Sequence, residues 1–344
     1  MKLIRPALPF TGNPQDRLVA GIAQIAPVWF RRAETLEKIE AAVVTAAAQG
    51  CELVVFGEAL VPGYPFWIER TGGAKFNDPK QKAMYARYLD QGVVIERGDL
   101  DGLCGLAREH AIAVYLGVME RAPDRGGHSL YCSLVYIDAT GRIASVHRKL
   151  HPTYEERLAW AQGDGHGLLV HDLGAFRVGG LNCYENWLPL ARAALYAQGE
   201  SLHVSVWPGG LHNTRDLPAF IARESRSYVI AASGLLRAAD LPDDTPNRSE
   251  IISGGGSGGG GSDGGGPGES GDIFCNGGST IVAPDGSFMV EPVVGIEALI
   301  VAEIDAAVVR GERQNLDQAG HYARPDVLKL SVDRRRQSAV VFQD

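Results

Sequence analysis

The chain has 344 residues, and 45% of them are hydrophobic, which is enough to bury a sizeable core. Its 41 aspartates and glutamates outnumber 33 lysines and arginines, and the net charge of −8 argues against a nucleic-acid or anionic-membrane surface. The five cysteines are odd in number and widely spaced, which indicates free thiols in a reducing compartment. No apolar run has membrane-spanning length, so we expect a cytoplasmic protein.

Strand and helix patterns alternate along the whole chain. In chain order the pattern predicts strands at 19–26, 52–56, 112–118, 130–138, 142–147, 176–181, 201–207, 228–233 and 298–304, helices at 33–49, 100–110, 189–198 and 217–227, and an Asp-Gly hairpin at 279–291. This alternation predicts an α/β protein with layered sheets, and we expect one domain over residues 1–344.

A glycine-rich segment at about 251–271 departs from this pattern. It has few side chains that could form a core, so we expect a flexible surface loop. It lacks the Gly-Lys-Ser/Thr ending of a phosphate-binding loop, which argues against a nucleotide site. The segment also resembles an engineered linker.

Cys183 follows a predicted strand and precedes a predicted helix in the run Leu181-Asn-Cys-Tyr-Glu-Asn-Trp187. A thiol at such a turn can lie near the positive end of a helix dipole, which favours the thiolate. Cys183 is therefore a candidate nucleophile. None of the nine histidines has a cysteine-protease context, so a Cys–His hydrolase is the weaker interpretation.

Two other strand ends supply charged candidates. Glu58 follows a buried strand and enters a loop stiffened by proline and glycine, where partial burial would make it a better base. Lys149 follows the end of the strand at 142–147. Beside a thiol, its ammonium group would stabilise negative charge. Taken singly, a glutamate after a strand is more often a cap, and a lysine is more often solvated.

Three motifs together resemble the nitrilase branch of the carbon–nitrogen hydrolase superfamily. They are Phe56-Gly-Glu-Ala-Leu-Val-Pro-Gly-Tyr-Pro65, Arg148-Lys-Leu-His-Pro-Thr-Tyr-Glu-Glu-Arg-Leu-Ala-Trp160 and Gly180-Leu-Asn-Cys-Tyr-Glu-Asn-Trp-Leu-Pro-Leu-Ala-Arg192. The similarity extends from about residue 19 to residue 332, with support from 320–327, and fails at the glycine-rich segment.

The resemblance implies a triad of Glu58, Lys149 and Cys183, with Glu156 orienting the substrate and holding Lys149. Adjacent helical residues point about 100° apart, so at most one of Glu155 and Glu156 faces the pocket, and the motif selects Glu156. The resemblance also implies an α-β-β-α sandwich that pairs into an αββα–αββα dimer, often extended into larger spirals.

The implied reaction is hydrolysis of an organic nitrile to a carboxylic acid and ammonia through a cysteine thioimidate and thioester. An amidase or carbamoyl hydrolase of the same superfamily is the alternative, because Tyr184 occupies a position where nitrilases usually have Trp. Gly57 and Ala161 are two further departures from the motifs. An inactive homologue that serves in binding or assembly is a third interpretation, opposed by the intact triad.

Five aromatic residues are candidate pocket walls, although packing in the core is the alternative for each: Tyr64, Trp67, Tyr184, Trp187 and Trp207. The sequence has no His or Cys cluster with ligand spacing, so we expect no metal. The implied hydrolysis needs no cofactor, and its expected partner is a small nitrile.

Overall fold

The computed structural model describes residues 1–6, 10, 12–254, 273–337 and 340. Numbered along the chain, the strands are β1 (Lys2–Ile4), β2 (Arg17–Gln24), β3 (Leu53–Val55), β4 (Ala113–Arg121), β5 (Leu130–Ile137), β6 (Ile143–Arg148), β7 (His171–Leu173), β8 (Phe176–Asn182), β9 (Leu202–Trp207), β10 (Tyr228–Ser233), β11 (Leu235–Arg237), β12 (Ile273–Val282), β13 (Phe288–Val294) and β14 (Ala298–Asp305). They form two mixed sheets.

The first sheet has the order β1-β14-β2-β3-β4-β5-β6, with parallel pairing of β2, β3 and β4. The second has the order β11-β12-β10-β9-β8-β7, with β13 also paired to β12 and parallel pairing of β8, β9 and β10. Parallel strands need long crossovers, and these are supplied by helices. The α-helices are α1 (Arg32–Ala48), α2 (Trp67–Arg70), α3 (Pro79–Asp90), α4 (Asp101–Glu109), α5 (Pro189–Tyr196), α6 (Leu211–Thr214), α7 (Leu217–Ser225), α8 (Arg248–Ser253) and α9 (Ala306–Glu312).

The main core lies between the two sheets. Alternate residues of each strand face this layer, such as Ile22 and Leu134 from the first sheet and Val204 and Ile230 from the second. The intervening residues face helices, with α1 and α4 covering the first sheet and α5 and α7 covering the second. Strands covered on both faces read as continuous apolar runs, which is the pattern of the sequence. The predicted α-β-β-α sandwich is confirmed.

The glycine-rich segment begins later than predicted. Residues 251–253 form the end of α8, where Ile251 is fully buried against other apolar side chains, so this part is not loop. Residues 255–272 lie outside the described residues, and the predicted loop there stays a prediction. No helix within the described ranges combines the length and the apolar character needed to cross a bilayer.

Candidate active site

Cys183 lies at a sharp turn between β8 and α5. β8 ends at Asn182, and a 3-10 helix over Cys183–Trp187 leads to Pro189, the first residue of α5. The backbone of Cys183 has φ of +41°, a left-handed conformation that is unfavourable for a residue with a side chain. Strained residues of this kind persist only where the surrounding structure fixes them, so the turn requires support.

Part of that support is Glu185, which joins the nucleophile turn to the end of β6. Its carboxylate accepts hydrogen bonds from the backbone N–H of Asn182 (2.9 Å) and of Leu150 (2.6 Å), and from His147 Nε2 (3.0 Å). Burial opposes ionisation, but His147 and these N–H groups keep the pKa of Glu185 below its ordinary value. His147 is thus a structural partner of Glu185.

Three charged side chains meet beside the thiol. Lys149 is 1% exposed, and its Nζ lies 2.9 Å from Glu58 Oε1 and 2.7 Å from Glu156 Oε2. Glu58, Glu156 and Cys183 each place one acceptor atom within 4.8 Å of the other two. The structure therefore brings together the four residues predicted to be catalytic, although Glu58, Lys149 and Glu156 follow strands of the first sheet and Cys183 follows a strand of the second.

Burial disfavours the thiolate form of Cys183 and so acts against the helix dipole. Desolvation raises its pKa well above the ordinary value; Lys149 opposes this shift, while Glu58 and Glu156 add to it. Two carboxylates and one ammonium leave the cluster with a formal excess of negative charge, which disfavours a thiolate. The nucleophile consequently needs a base.

Glu58 meets the requirements for that base. Burial raises its pKa from 4.5 to about 7, with Lys149 opposing the shift. Its Oε1 accepts from Lys149 Nζ and from the Cys132 thiol, 3.4 Å away, whereas its buried Oε2 has no hydrogen-bond partner among the described residues. One oxygen is anchored and the other is available to receive a proton. Cys132 was not singled out from the sequence, and a lone cysteine in a strand gives no signal of this contact.

Glu156 and Glu155 differ in burial, but both line the cavity, so the prediction that at most one of them faces the pocket is wrong. Glu156 is buried and accepts from Lys149, from the backbone N–H of Thr153 (2.6 Å) and from Tyr64 Oη (2.7 Å). Glu155 is half-buried and lies at the edge of the cavity. Three donors hold Glu156 in place, so its geometry suits orientation of Lys149 better than proton transfer.

A cavity of about 280 Å³ opens over Cys183. Tyr64 lines it, as predicted, together with apolar residues that the sequence analysis did not identify, among them Phe66, Ile68 and Phe274. Phe274 comes from β12, far along the chain, so no local motif could reveal it.

The other four aromatic candidates are not among the residues that line this cavity. Trp67 packs in the core against Phe30 and Tyr88, and Trp207 packs against α7; both are at most 2% exposed. Tyr184 and Trp187 lie on the surface, 43% and 54% exposed. A role of these four in substrate contact finds no support in the geometry of the cavity.

The cluster of Glu58, Glu156 and Cys183 has the atoms to ligate a cation. However, the Lys149 ammonium already bonds both carboxylates at 2.9 and 2.7 Å. A metal ion there would have to compete with this fixed charge, so the donor set fits an ammonium-centred cluster better than a metal centre.

Residues 19–314 match the carbon–nitrogen hydrolase family. Together with the sandwich fold and the cysteine site, this match defines a hydrolase that acts on carbon–nitrogen bonds other than peptide bonds. The chain is 36% identical to "Nitrilase 2" of an unknown prokaryotic organism, over 94% of this chain and 95% of that protein. It is 32% identical to an "Aliphatic nitrilase" of Rhodococcus rhodochrous, over 92% and 83%. The chain therefore belongs to the nitrilase branch of the carbon–nitrogen hydrolase family.

Solved structures share the fold at lower identity. A carbon–nitrogen hydrolase from Helicobacter pylori G27 has a TM-score of 0.65 at 19% identity, covering 90% of this chain and 96% of that one. An amidase of the nitrilase superfamily from Nesterenkonia AN1 has a TM-score of 0.61 at 18% identity, covering 89% and 98%.

Proposed function

We propose that the protein hydrolyses an organic nitrile to a carboxylic acid and ammonia, with Cys183 as nucleophile and Glu58 as base. The observation that carries this proposal is the buried Oε2 of Glu58, which has no hydrogen-bond partner among the described residues and lies in one cluster with the Cys183 thiol. The nitrilase relatives support the substrate class.

In the first step Glu58 takes the thiol proton as the sulfur bonds to the nitrile carbon. The nitrile nitrogen gains negative charge and is protonated from the cluster, which gives a covalent thioimidate. Lys149 and the backbone N–H of Tyr184, which hydrogen-bonds the sulfur of Cys183, lie where they can stabilise this charge.

In the second step Glu58 takes a proton from water, which adds to the thioimidate carbon. Loss of ammonia leaves a thioester, and a second water releases the carboxylic acid and restores the thiol. The sum is one nitrile and two waters giving one acid and one ammonia. If the carbon–sulfur bond breaks before ammonia departs, the product is the amide.

The cavity favours nitriles whose substituent is uncharged and of aromatic-ring size. Tyr64 and Phe66 stand with ring centroids 4.7 Å apart, and Phe274 lies 6.1 Å from Phe66, which gives an aromatic wall. Among the described residues no lysine or arginine lines the cavity, whereas Glu69, Glu155 and Glu156 do. A substrate carrying its own carboxylate would therefore meet negative charge without a compensating cation.

A panel of matched nitriles and amides tests both statements, with ammonia, acid and amide quantified. We expect turnover of nitriles, with kcat/KM for an aryl or arylalkyl nitrile above that for its carboxylate-bearing analogue and for a short alkyl nitrile. Amide turnover without nitrile turnover would instead assign the alternative function, an amidase, which is favoured by Tyr184 and by the amidase fold relative.

We also propose that residues 1–344 act as one domain in a homodimer or larger spiral assembly. Large apolar side chains are exposed on and near α5, including Trp187 (54%) and Leu190 (67%), where a second copy would cover them. Light scattering of the purified protein tests this, and a monomer at micromolar concentration would contradict it.

A further inference from the structure

A buried polar chain runs from β9 to the backbone of Cys183. Glu200, His203 and Asn186 are each fully buried, and none lines the cavity. His203 Nδ1 lies 3.0 Å from Glu200 Oε1, and His203 Nε2 lies 2.9 Å from Asn186 Oδ1. The Asn186 amide nitrogen then donates to the carbonyl of Cys183 (2.9 Å) and to that of Leu181 (3.3 Å). Of these three residues, Asn186 is the one that hydrogen-bonds Cys183.

The direction of these hydrogen bonds is fixed by their acceptors. Asn186 faces two carbonyl oxygens with one end of its amide, so that end must be the NH2 group and the other end must be the oxygen. His203 Nε2 must then carry a proton to donate to Asn186 Oδ1. Glu200 Oε1 lies within hydrogen-bond distance of Nδ1, the other ring nitrogen, and so holds the ring in this orientation.

The surrounding sequence makes room for this chain and anchors it. A Cβ atom at Gly179 of β8 would lie 2.4 Å from Glu200 Oε1, so the glycine is needed for the carboxylate to reach its place. Arg192 Nη1 also donates to the backbone oxygen of Asn186 at 2.6 Å. Asn186 is thus held through both its side chain and its backbone.

We propose that Asn186, oriented by His203 and Glu200, is a positioning residue that keeps the strained Cys183 turn in its reactive conformation. The carbonyl of Cys183 is the atom on which the amide acts, because its orientation sets φ and ψ of the turn and hence the direction of Sγ toward Glu58 and the substrate carbon. This inference rests on the proposed role of Cys183 as nucleophile.

The test compares variants that break one of these hydrogen bonds with variants that preserve them. In Asn186→Asp an oxygen replaces the donor opposite two carbonyls, and in His203→Phe the donor to Asn186 is lost. We expect kcat to fall about 10- to 100-fold in both, with KM within about twofold of the parent enzyme, because no cavity residue changes. His203→Gln retains a donor to Asn186, and Glu200→Gln retains a hydrogen-bonding group opposite Nδ1 of His203, so both should keep most of the activity.

Thr280→Val is the matched control for lost stability. Thr280 is fully buried and donates to the carbonyl of Val290 at 2.5 Å, away from the Cys183 turn. We expect it to lower the melting temperature without lowering kcat of the folded enzyme. If His203→Phe fails to fold, Asn186→Asp carries the test, since it changes one polar group.

The rate of alkylation by iodoacetamide gives a readout that does not depend on nitrile turnover. Peptide mass spectrometry follows Cys183, and the half-buried Cys104 serves as an internal reference. We expect slower labelling of Cys183 alone in Asn186→Asp. Folded Asn186→Asp with unchanged kcat and unchanged Cys183 labelling would overturn the proposal, as would equal losses in Glu200→Gln and His203→Phe. A parent enzyme without nitrile turnover but with this labelling pattern would reject the proposed substrate and retain the positioning role.

Discussion

Arg148 and Lys149 are consecutive buried cations at the end of β6, yet their surroundings differ. The Arg148 guanidinium donates to Glu120 at 2.7 to 3.2 Å and to Asp124 at 3.0 and 3.2 Å, and it stacks 4.2 Å from the Tyr131 ring centroid. Glu120 also accepts from the Ser133 hydroxyl at 2.6 Å. Lys149 instead shares two carboxylates, and one of them, Glu58, keeps an unpaired oxygen.

The difference separates a group that stabilises the fold from a group that is ready to react. A fully hydrogen-bonded buried ion pair has no free acceptor, so it can only hold its strands together. A buried carboxylate with a free oxygen is costly to the fold and is a proton acceptor. The unpaired Glu58 oxygen, close to Lys149 and to the Cys183 thiol, marks the candidate site.

The largest effect is expected for Cys183→Ala, which removes the nucleophile. We expect loss of all measurable turnover and of any thioimidate or thioester adduct in intact-mass spectra, because the sulfur that would bond the nitrile carbon is removed. Cys104→Ala, at a half-buried cysteine away from the cavity, is the control and should be fully active. Turnover that survives in Cys183→Ala would reject the proposed triad.

Glu58→Gln should give the next largest loss. Gln keeps the shape and an oxygen for Lys149 but takes no proton, so we expect kcat to fall about 10²- to 10⁴-fold. In the parent enzyme the base must be ionised, and the pKa of Glu58 is about 7, so kcat/KM should fall as the pH drops below about 7. A parent pH profile that stays flat down to pH 5 would exclude Glu58 as the base.

Glu120→Gln tests the other side of the comparison. It breaks the saturated pair and leaves Arg148 partly uncompensated, so we expect a loss of about 3 kcal/mol in the free energy of unfolding. Denaturant titration measures this, and activity per folded molecule should change by only a few-fold. A catalytic loss as deep as that of Glu58→Gln would show that the two neighbouring networks are not separable.

Substitution of Cys132 should give the smallest effect on activity, and it tests how the pKa of Glu58 is set. Its thiol donates to Glu58 Oε1 and lowers the pKa of Glu58, against the larger effect of burial. Cys132→Ala should therefore move the acidic limb of the pH profile to higher pH and reduce the rate at pH 7 about two- to fivefold. Cys132→Val is a size control without a donor, and it should shift the limb in the same direction.

Much of the fold could be predicted from sequence because its strands and long helices carry regular apolar patterns. The strand predicted at 228–233 coincides with β10, and the helix predicted at 33–49 differs from α1 by one residue at each end. The polar helix α3 was missed, although Asp78 caps it and Pro79 begins it, because its apolar face is narrow. Periodicity cannot reveal that two sheets face each other.

The site was predictable only where local motifs carry it. Glu58, Lys149, Glu156 and Cys183 lie in motifs, and the structure brings them together. The Cys132 contact and the wall residue Phe274 depend on strand order and on packing across long stretches of chain. The raised pKa of Cys183 depends on burial and on the neighbouring charges, which the helix dipole alone does not give.

The division of the site between two sheets has a mechanical consequence. Glu58 donates its backbone N–H to the carbonyl of Trp207 at 3.2 Å, so the loop after β3 is joined to the end of β9 in the opposite sheet. Proton acceptor and sulfur therefore keep their separation only while the sheets keep their alignment. A shear of one sheet by about one strand residue, roughly 3.3 Å, exceeds the 3.2 Å length of this hydrogen bond between the sheets. Enzyme activity therefore depends on the alignment of the two sheets. We expect low concentrations of denaturant to abolish activity before either sheet loses its secondary structure.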